Sequence, residues 1–249
     1  MSEFEGKRIL ITGAGSGFGK MLSERLAEQG ARLNLSDINE QSLQAHVEHL
    51  QSAYNAEIHA DVVDVSSEAQ VKQNIEQGVQ RFGGLDIAVN NAGMAIGQRS
   101  LLEITEEEFD TVYAINTKGV FFGMKHEVPH MLESGGSILN VSSIAGLLAA
   151  PGTADYAAAK HAVSGLTKTA ASEFGRRNIR VNAICPYFTP TAIIKDMSEK
   201  DAAKYSSIVP MKRLGRVEEV VTTMMSMIQP SNAYLNGQCI AVDGGMSCQ

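Results

Sequence analysis

A doubly wound α/β fold, one domain with a parallel seven-stranded sheet and helices on both faces, is predicted by three features of the sequence. Short apolar, β-branched runs alternate with amphipathic helical segments from Arg8 to Val242, the first run leads straight into a glycine-rich turn, and no linker, repeat or low-complexity stretch divides residues 1–249. Alternation of this kind favours parallel strands joined by crossover helices. Such a sheet takes its ligands beyond the carboxyl ends of its strands, where the strand order reverses.

Arg8 to Thr12 reads as the first strand and ends in Gly13-Ala14-Gly15-Ser16-Gly17-Phe18-Gly19. A helical stripe of Met21, Leu22, Leu26 and Ala27 follows, and Gly30 stops it. Glycines let a backbone approach a pyrophosphate, and the helix N-terminus offers free N–H groups and a positive dipole end to the anion. The spacing is not Gly-x-Gly-x-x-Gly: counted from Gly13 or Gly15, the third position falls on Phe18 or Lys20. A second strand, Arg32 to Ser36, ends in Asp37. A carboxylate there accepts hydrogen bonds from both adenosine ribose hydroxyls and repels a 2′-phosphate, which points to NAD as cofactor. Capping the helix from Asn39 onward is the alternative use of Asp37.

Glu57 to Val62 reads as the third strand, followed by Asp64-Val65 and a Ser67-x-x-Gln70 capping box that opens a helix carrying Val71, Ile75, Val79 and Phe82. Leu85 to Val89, the fourth strand, opens into Asn90-Asn91-Ala92-Gly93. Thr105-x-x-Glu108 starts a long helical region reaching about Leu132, with Phe109, Val112, Ile115, Val120 and Met124 expected to face inward. Asn116 interrupts that stripe and requires a partner or a kink. Ile138 to Val141 is the fifth strand, a helix spans about Thr153 to Phe174, and Ile179 to Cys185 and Cys239 to Val242 are the sixth and seventh strands. Between the last two, Pro186 to Arg213 holds three prolines and scattered large apolar residues, which reads as a substrate lid at about 187–213 rather than a core element.

The chemistry concentrates between Ser142 and Lys160. Tyr156 and Lys160 are four apart in an alanine-rich helix and so share a face. A phenol has a pKa of about 10 in water, and a nearby ammonium is expected to lower it, making the tyrosine able to exchange protons with an alcohol. Ser143 stands at the carboxyl end of a strand, the ligand-binding edge of such a sheet.

A net charge of -7 argues against nucleic acid or an anionic membrane surface as the main partner. Cys185, Cys239 and Cys248 are odd in number and lack Cys-x-x-Cys spacing, so neither a disulfide framework nor a zinc knuckle is expected. The acidic first residues and the lack of a long uncharged apolar run indicate neither signal peptide nor membrane span. A soluble, cytoplasmic protein with reduced thiols is the expectation.

With these residues in hand, the chain resembles the short-chain dehydrogenase/reductase family from Gly6 to Gly245. The family's Thr-Gly-x-x-x-Gly-x-Gly turn stands as Thr12 to Gly19, its Asn-Asn-Ala-Gly as Asn90 to Gly93, and Asn236-Gly237-Gln238 and Val242-Asp243-Gly244-Gly245 also match. The resemblance implies the catalytic quartet Asn116, Ser143, Tyr156 and Lys160, with Ser143 thirteen residues before the tyrosine. It implies a Rossmann sheet and a cofactor site of Gly13, Ser16, Gly17, Phe18, Gly19, Asp37, Asp64, Val65, Asn91, Ala92, Gly93, Tyr156, Lys160, Pro186 and Thr191, Asp64-Val65 lying at the adenine and Thr191 at the nicotinamide carboxamide. It also implies a homotetramer. One departure is Pro186-Tyr187, where the family has Pro-Gly.

His126-Glu127-Val128-Pro129-His130 matches the zinc-protease pattern by letter, but Pro129 disturbs the helix that must align both imidazoles and no third ligand follows, so no metal is expected. Met224, Met225 and Met227 read as packing residues, and His46, His49, His59 and His161 as surface or structural ones. The function expected is an NAD-dependent interconversion of a secondary alcohol and a ketone. The alternatives are a 3-oxoacyl thioester reductase, which usually takes NADPH, or a dinucleotide-binding scaffold without turnover. The expected pocket linings, Met94-Ala95-Ile96, Leu147-Leu148-Ala149 and Tyr187 through Ile194, are apolar and carry no arginine cluster, which favours a neutral hydrophobic substrate. Tyr187 is expected to fill pocket volume, the other placement being beneath the lid with Phe188 and Ile193.

Overall fold

The parallel sheet is built from β1 (Arg8–Thr12), β2 (Arg32–Asp37), β3 (Ile58–Val62), β4 (Ile87–Asn90), β5 (Gly136–Val141), β6 (Ile179–Pro186) and β7 (Cys239–Val242). A computed structural model describes residues 2–190 and 198–248. The strand order is β3-β2-β1-β4-β5-β6-β7, every neighbouring pair being parallel. The chain therefore leaves β1 in one direction, returns, and continues from β4 in the other. The turns after β1 and β4 meet at that switch point.

Strand periodicity explains the two cores. Ile9 and Ile11 face one side and Leu10 the other. On the first side they meet α1 (Gly17–Glu28), α2 (Glu40–Tyr54) and α8 (Val217–Ile228) through Leu22, Leu26, Leu43, Leu50, Val221 and Met224. On the second they meet α3 (Glu68–Phe82), α5 (Gly119–Glu127) and α6 (Ala154–Phe174) through Val71, Ile75, Val120, Met124 and Val163. Met224 and Met227 pack in the core as expected. No helix among the described residues is long and apolar enough to cross a membrane.

Local rules hold in some places and fail in others. The Thr105 to Glu108 box forms, Glu108 N–H donating to Thr105 Oγ1 at 3.3 Å and Thr105 N–H to Glu108 Oε2 at 3.0 Å. The box expected at Ser67 does not. Ser67 makes no side-chain cap bond, and Gln70 Oε1, instead of reaching back to Ser67, accepts from Asp64 N–H at 2.9 Å and ties down the loop before α3.

The helical region from Thr105 is also not continuous. It runs as α4 (Glu106–Tyr113), a π-helical turn (Ala114–Lys118), α5 and a 3₁₀ turn (Val128–His130). The π turn inserts an extra residue, which rotates the stripe before it out of phase with the stripe after it. Phe109, expected inside, is 41% exposed and stacks on Tyr113 with ring centroids 6.3 Å apart. Val112 is the buried residue of α4.

A polar ladder crosses the second core. Asn90 Nδ2 donates to Glu127 Oε2 at 3.2 Å and to Asn140 Oδ1 at 3.0 Å, and Asn140 Nδ2 donates to Thr167 Oγ1 at 2.9 Å. Glu127 is fully buried and its Oε1 has no partner among the described residues. Burial pushes its pKa up to about 8, against the smaller lowering effect of Asn90. The folded protein thus holds a proton at neutral pH that the unfolded chain has released. Stability from this group is undiminished below the unfolded carboxylate's pKa of about 4.5 and declines as pH rises toward the folded value of about 8. Glu127→Gln is expected to flatten that decline, giving a higher Tm than the parent at pH 8 and a smaller difference at pH 5. Calorimetry at the two pH values checks this, at about 2 to 4 °C for each kcal/mol.

Candidate active site

The turn after β1 is held by the turn after β4. Thr12 Oγ1 accepts from the backbone N–H groups of Asn91 and Ala92, both at 3.0 Å. Asn91 Nδ2 donates to the carbonyls of Thr12 at 2.8 Å and Gly13 at 3.0 Å. Gly19 is demanded by this approach, since a Cβ there would fall 2.3 Å from Gly13 O and 2.7 Å from Asn91 Nδ2. Helix α1 begins just behind, with Ser16 at its N-cap making no side-chain cap bond. Gly13, Gly17, Phe18 and Gly19 thus lie where a helix N-terminus meets a tight backbone turn, the arrangement that suits a pyrophosphate.

Asp37 sits at the end of β2 and faces this turn. Its Oδ2 accepts from Gly15 N–H at 2.8 Å and its Oδ1 from Asn39 N–H at 2.9 Å. Asn39, not Asp37, caps α2, its Oδ1 accepting from Ser42 N–H at 2.9 Å. An ionised carboxylate has about four acceptor sites, so both oxygens keep capacity for a ligand's hydroxyls. Asp64 accepts from Ser66 N–H and Oγ, and Val65 packs against Gly119 at the start of α5.

Across the switch point, α6 brings Tyr156 and Lys160 beside the end of β5. Lys160 is buried and its Nζ donates to Val141 O at 2.8 Å. Ser142 Oγ donates to Lys160 O at 3.0 Å and lies 3.1 Å from Ser164 Oγ, clamping helix to strand. Asn116 occupies the π turn, where its Nδ2 donates to Val112 O at 3.0 Å and Met94 O at 2.9 Å while Oδ1 accepts from Met94 N–H at 3.2 Å. The asparagine inside a helix therefore has both its kink and its partner. Gly93 makes room for the meeting: a Cβ there would lie 2.7 Å from Asn116 Oδ1 and 3.4 Å from Lys160 Nζ.

Electrostatics correct one expectation. Lys160 was expected to lower the Tyr156 pKa, yet burial pushes the phenol up to about 12, against the hydrogen bond from Ser143, with a further small rise from Cys185. The ammonium lies 5.5 Å from the ring centroid and is itself pushed down by burial to about 8, offset slightly by Cys185. Burial is the largest influence on both groups, and it disfavours the charged form of each.

A family model described as Enoyl-(Acyl carrier protein) reductase matches residues 13–247. The chain belongs to the short-chain dehydrogenase/reductase family. It is 38% identical to a 3-oxoacyl-[acyl-carrier-protein] reductase of Thermotoga maritima over 97% of this chain and 98% of that one. It is 36% identical to a cyclohexanol dehydrogenase of an Acinetobacter species over 98% and 96%. A crystal structure of levodione reductase superposes with a TM-score of 0.94 at 36% identity, covering 98% and 99% of the two chains. Two further structures have nicotinamide cofactors bound, a Brucella melitensis 3-ketoacyl-(acyl-carrier-protein) reductase with NADH (31% identity, 98% and 99% covered, TM-score 0.91) and ElxO with NADP (33%, 98% and 99%, 0.91). The protein is an oxidoreductase of the alcohol/ketone type that uses a nicotinamide dinucleotide.

Within this short-chain dehydrogenase/reductase, Pro186 pairs with Val242 at the end of β6, and Thr191 lies outside the described residues. Tyr187, expected to fill pocket volume, instead packs against Phe188, edge-on with centroids 5.1 Å apart, and its hydroxyl donates to Tyr205 O at 3.4 Å. Ile193 lies outside the described residues. The zinc-like letters are dispersed: Glu127 is in the core, His126 Nε2 lies 3.0 Å from Glu68 Oε1, and Pro129 turns the chain into 3₁₀ geometry. His46 is structural and buried, its Nε2 2.7 Å from Ser23 Oγ.

The Thr12 hydroxyl and the Ser142 clamp are parts of the site whose roles no motif in the sequence announces. The place of Thr12 at a strand end before a glycine turn was the available signal. Thr12→Val keeps the shape but leaves the Asn91 and Ala92 N–H groups unpaired, and is expected to cost about 1–3 kcal/mol in urea denaturation.

Proposed function

We propose that the protein is an NAD(H)-dependent oxidoreductase interconverting a hydrophobic secondary alcohol and its ketone in the cytoplasm. The observation that carries this reading is the meeting of Tyr156, Ser143 and a buried Lys160 at the end of β5, with Asp37 and the glycine turn across the switch point. The residues fit the cofactor: the turn presents N–H groups at a helix start, and Asp37 keeps acceptor capacity for two ribose hydroxyls. When bound, the nicotinamide supplies or accepts the hydride.

The roles of the chain's own groups follow from their surroundings. Tyr156, a neutral phenol at neutral pH, donates its proton to the carbonyl oxygen in reduction and is left as the phenolate; in oxidation the phenolate, formed by loss of the phenol proton to solvent, takes the proton of the alcohol. Ser143 donates a hydrogen bond to the same oxygen. Lys160 spends one N–H on Val141 O and keeps the other two for the nicotinamide ribose. Asn116, pinned by both its amide atoms to Met94, shapes the floor between cofactor and Lys160 and holds a water in the proton path. Fixing these groups before the substrate arrives contributes through orientation and proton transfer.

A 3-oxoacyl thioester reductase is the second reading, favoured by the name of the Thermotoga relative. Asp37 weighs against it through its repulsion of a 2′-phosphate. The apolar linings at Met94 to Ile96 and Leu147 to Ala149 favour a neutral ring-like substrate over one with a charged handle. A homotetramer is proposed as the working form, because the Phe109 and Tyr113 stack and Phe121, 45% exposed, leave apolar surface on α4 and α5.

Tyr156→Phe is expected to bind NADH normally by fluorescence while lowering turnover by about 10² to 10⁴-fold. Near-parent turnover would overturn the role of Tyr156. Because the phenol pKa is raised, oxidation should gain rate as pH climbs from 7 toward 10 whereas reduction does not; initial rates in both directions check this. Steady-state kinetics with the two cofactors should favour NADH over NADPH, and Asp37→Ala should narrow that preference.

A further inference from the structure

The helix α7 (Glu199–Ile208) buries none of its residues. At Tyr205 it is nevertheless tied to two separate parts of the body. The Tyr205 ring stacks on Phe188 with centroids 4.1 Å apart and planes 16° from parallel. Its hydroxyl donates to Gln98 Oε1 at 2.7 Å, and its carbonyl accepts from Tyr187 OH at 3.4 Å.

Topology gives these contacts their meaning. Gln98 lies on the segment leaving β4, and Tyr187 and Phe188 on the segment leaving β6. β5 runs between those two strands and ends beside Ser143. A bridge from Gln98 through Tyr205 to Phe188 therefore spans the carboxyl end of β5, above the reactive hydroxyls. Without a buried face on α7, this bridge rests at Tyr205 on one stacked ring pair, the longer bond from Tyr187 OH, and one short hydrogen bond to Gln98, a side chain more than a hundred residues away in sequence.

We propose that Gln98 and Tyr205 form a latch that closes the substrate pocket, and that its strength sets how tightly, and up to what size, a neutral ring ketone is held. This deepens the reading above and rests on it. Both residues are positioning residues, since neither touches the reacting atoms. Opening costs one hydrogen bond while Phe188 can keep its stacking partner, so the latch suits repeated opening for substrate entry and product release. A larger ring would prevent closure and be discriminated against.

The test uses Tyr205→Phe, which keeps the stack and removes the hydroxyl, Gln98→Ala, and the double variant, with NADH and either cyclohexanone or the bicyclic ketone 2-decalone. Each single variant is expected to raise KM for cyclohexanone about three- to tenfold, the scale of one lost hydrogen bond. kcat should be kept or raised, and kcat/KM for 2-decalone should rise relative to cyclohexanone. The double variant should match the singles, because both remove the same bond. Unchanged KM in the singles, or effects that multiply in the double, would overturn the latch. A second readout needs no turnover: trypsin should cut after Lys200 and Lys204 faster in both single variants than in the parent, at unchanged Tm. If the parent reduces no ketone with either nicotinamide, the functional reading fails, and the latch still stands or falls on the tryptic rates. Equal rates in parent and variants would reject it.

Discussion

The docking of α6 onto the end of β5 is the interaction on which the site depends. It is made by buried hydrogen bonds rather than by apolar packing alone: Ser142 Oγ to Lys160 O, Lys160 Nζ to Val141 O, and Asn140 Nδ2 to Thr167 Oγ1. Thr117 Oγ1 adds a bond from the π turn to Ala159 O at 3.2 Å. Buried polar groups are costly when unpaired, so each of these bonds tolerates little sliding of helix against strand. Gly146 shows how close the approach is, since a Cβ there would lie 2.4 Å from Ser142 Oγ and 2.6 Å from Lys160 O. The separation of Ser143 from Tyr156 is inherited from this clamp.

The same burial sets the chemistry. Lys160 is buried with no carboxylate partner among the described residues, and the half-buried Tyr156 beside it is desolvated as well, so both are biased toward their neutral forms. A neutral phenol is the form required to protonate a ketone. Binding a cofactor and substrate changes what surrounds both groups, and the free protein's bias is the state from which that change begins. On the far side of the switch point, Asp37 organises the glycine turn through Gly15 N–H before any ribose is present. The residue proposed to read the ribose thereby also shapes the turn proposed to hold the phosphates.

The sequence by itself determined the sheet, the switch point and the residues gathered there. Strand and helix periods are local, and the Thr12 to Gly19 turn, Asn90 to Gly93 and the Tyr156/Lys160 spacing each lie within a few residues. They could be read without knowing what packs on them. Tertiary structure decided whatever depends on segments far apart. The π turn put Phe109 outside because Asn116 takes Val112 O and both backbone polar atoms of Met94. Gln70 left its cap for Asp64 N–H. The sign of the Tyr156 shift was decided by how much water the assembled site excludes, and the bond from Tyr205 to Gln98 by the meeting of α7 with the segment that leaves β4. Desolvation and long-range hydrogen bonds are properties of the folded neighbourhood, and no local spacing encodes them.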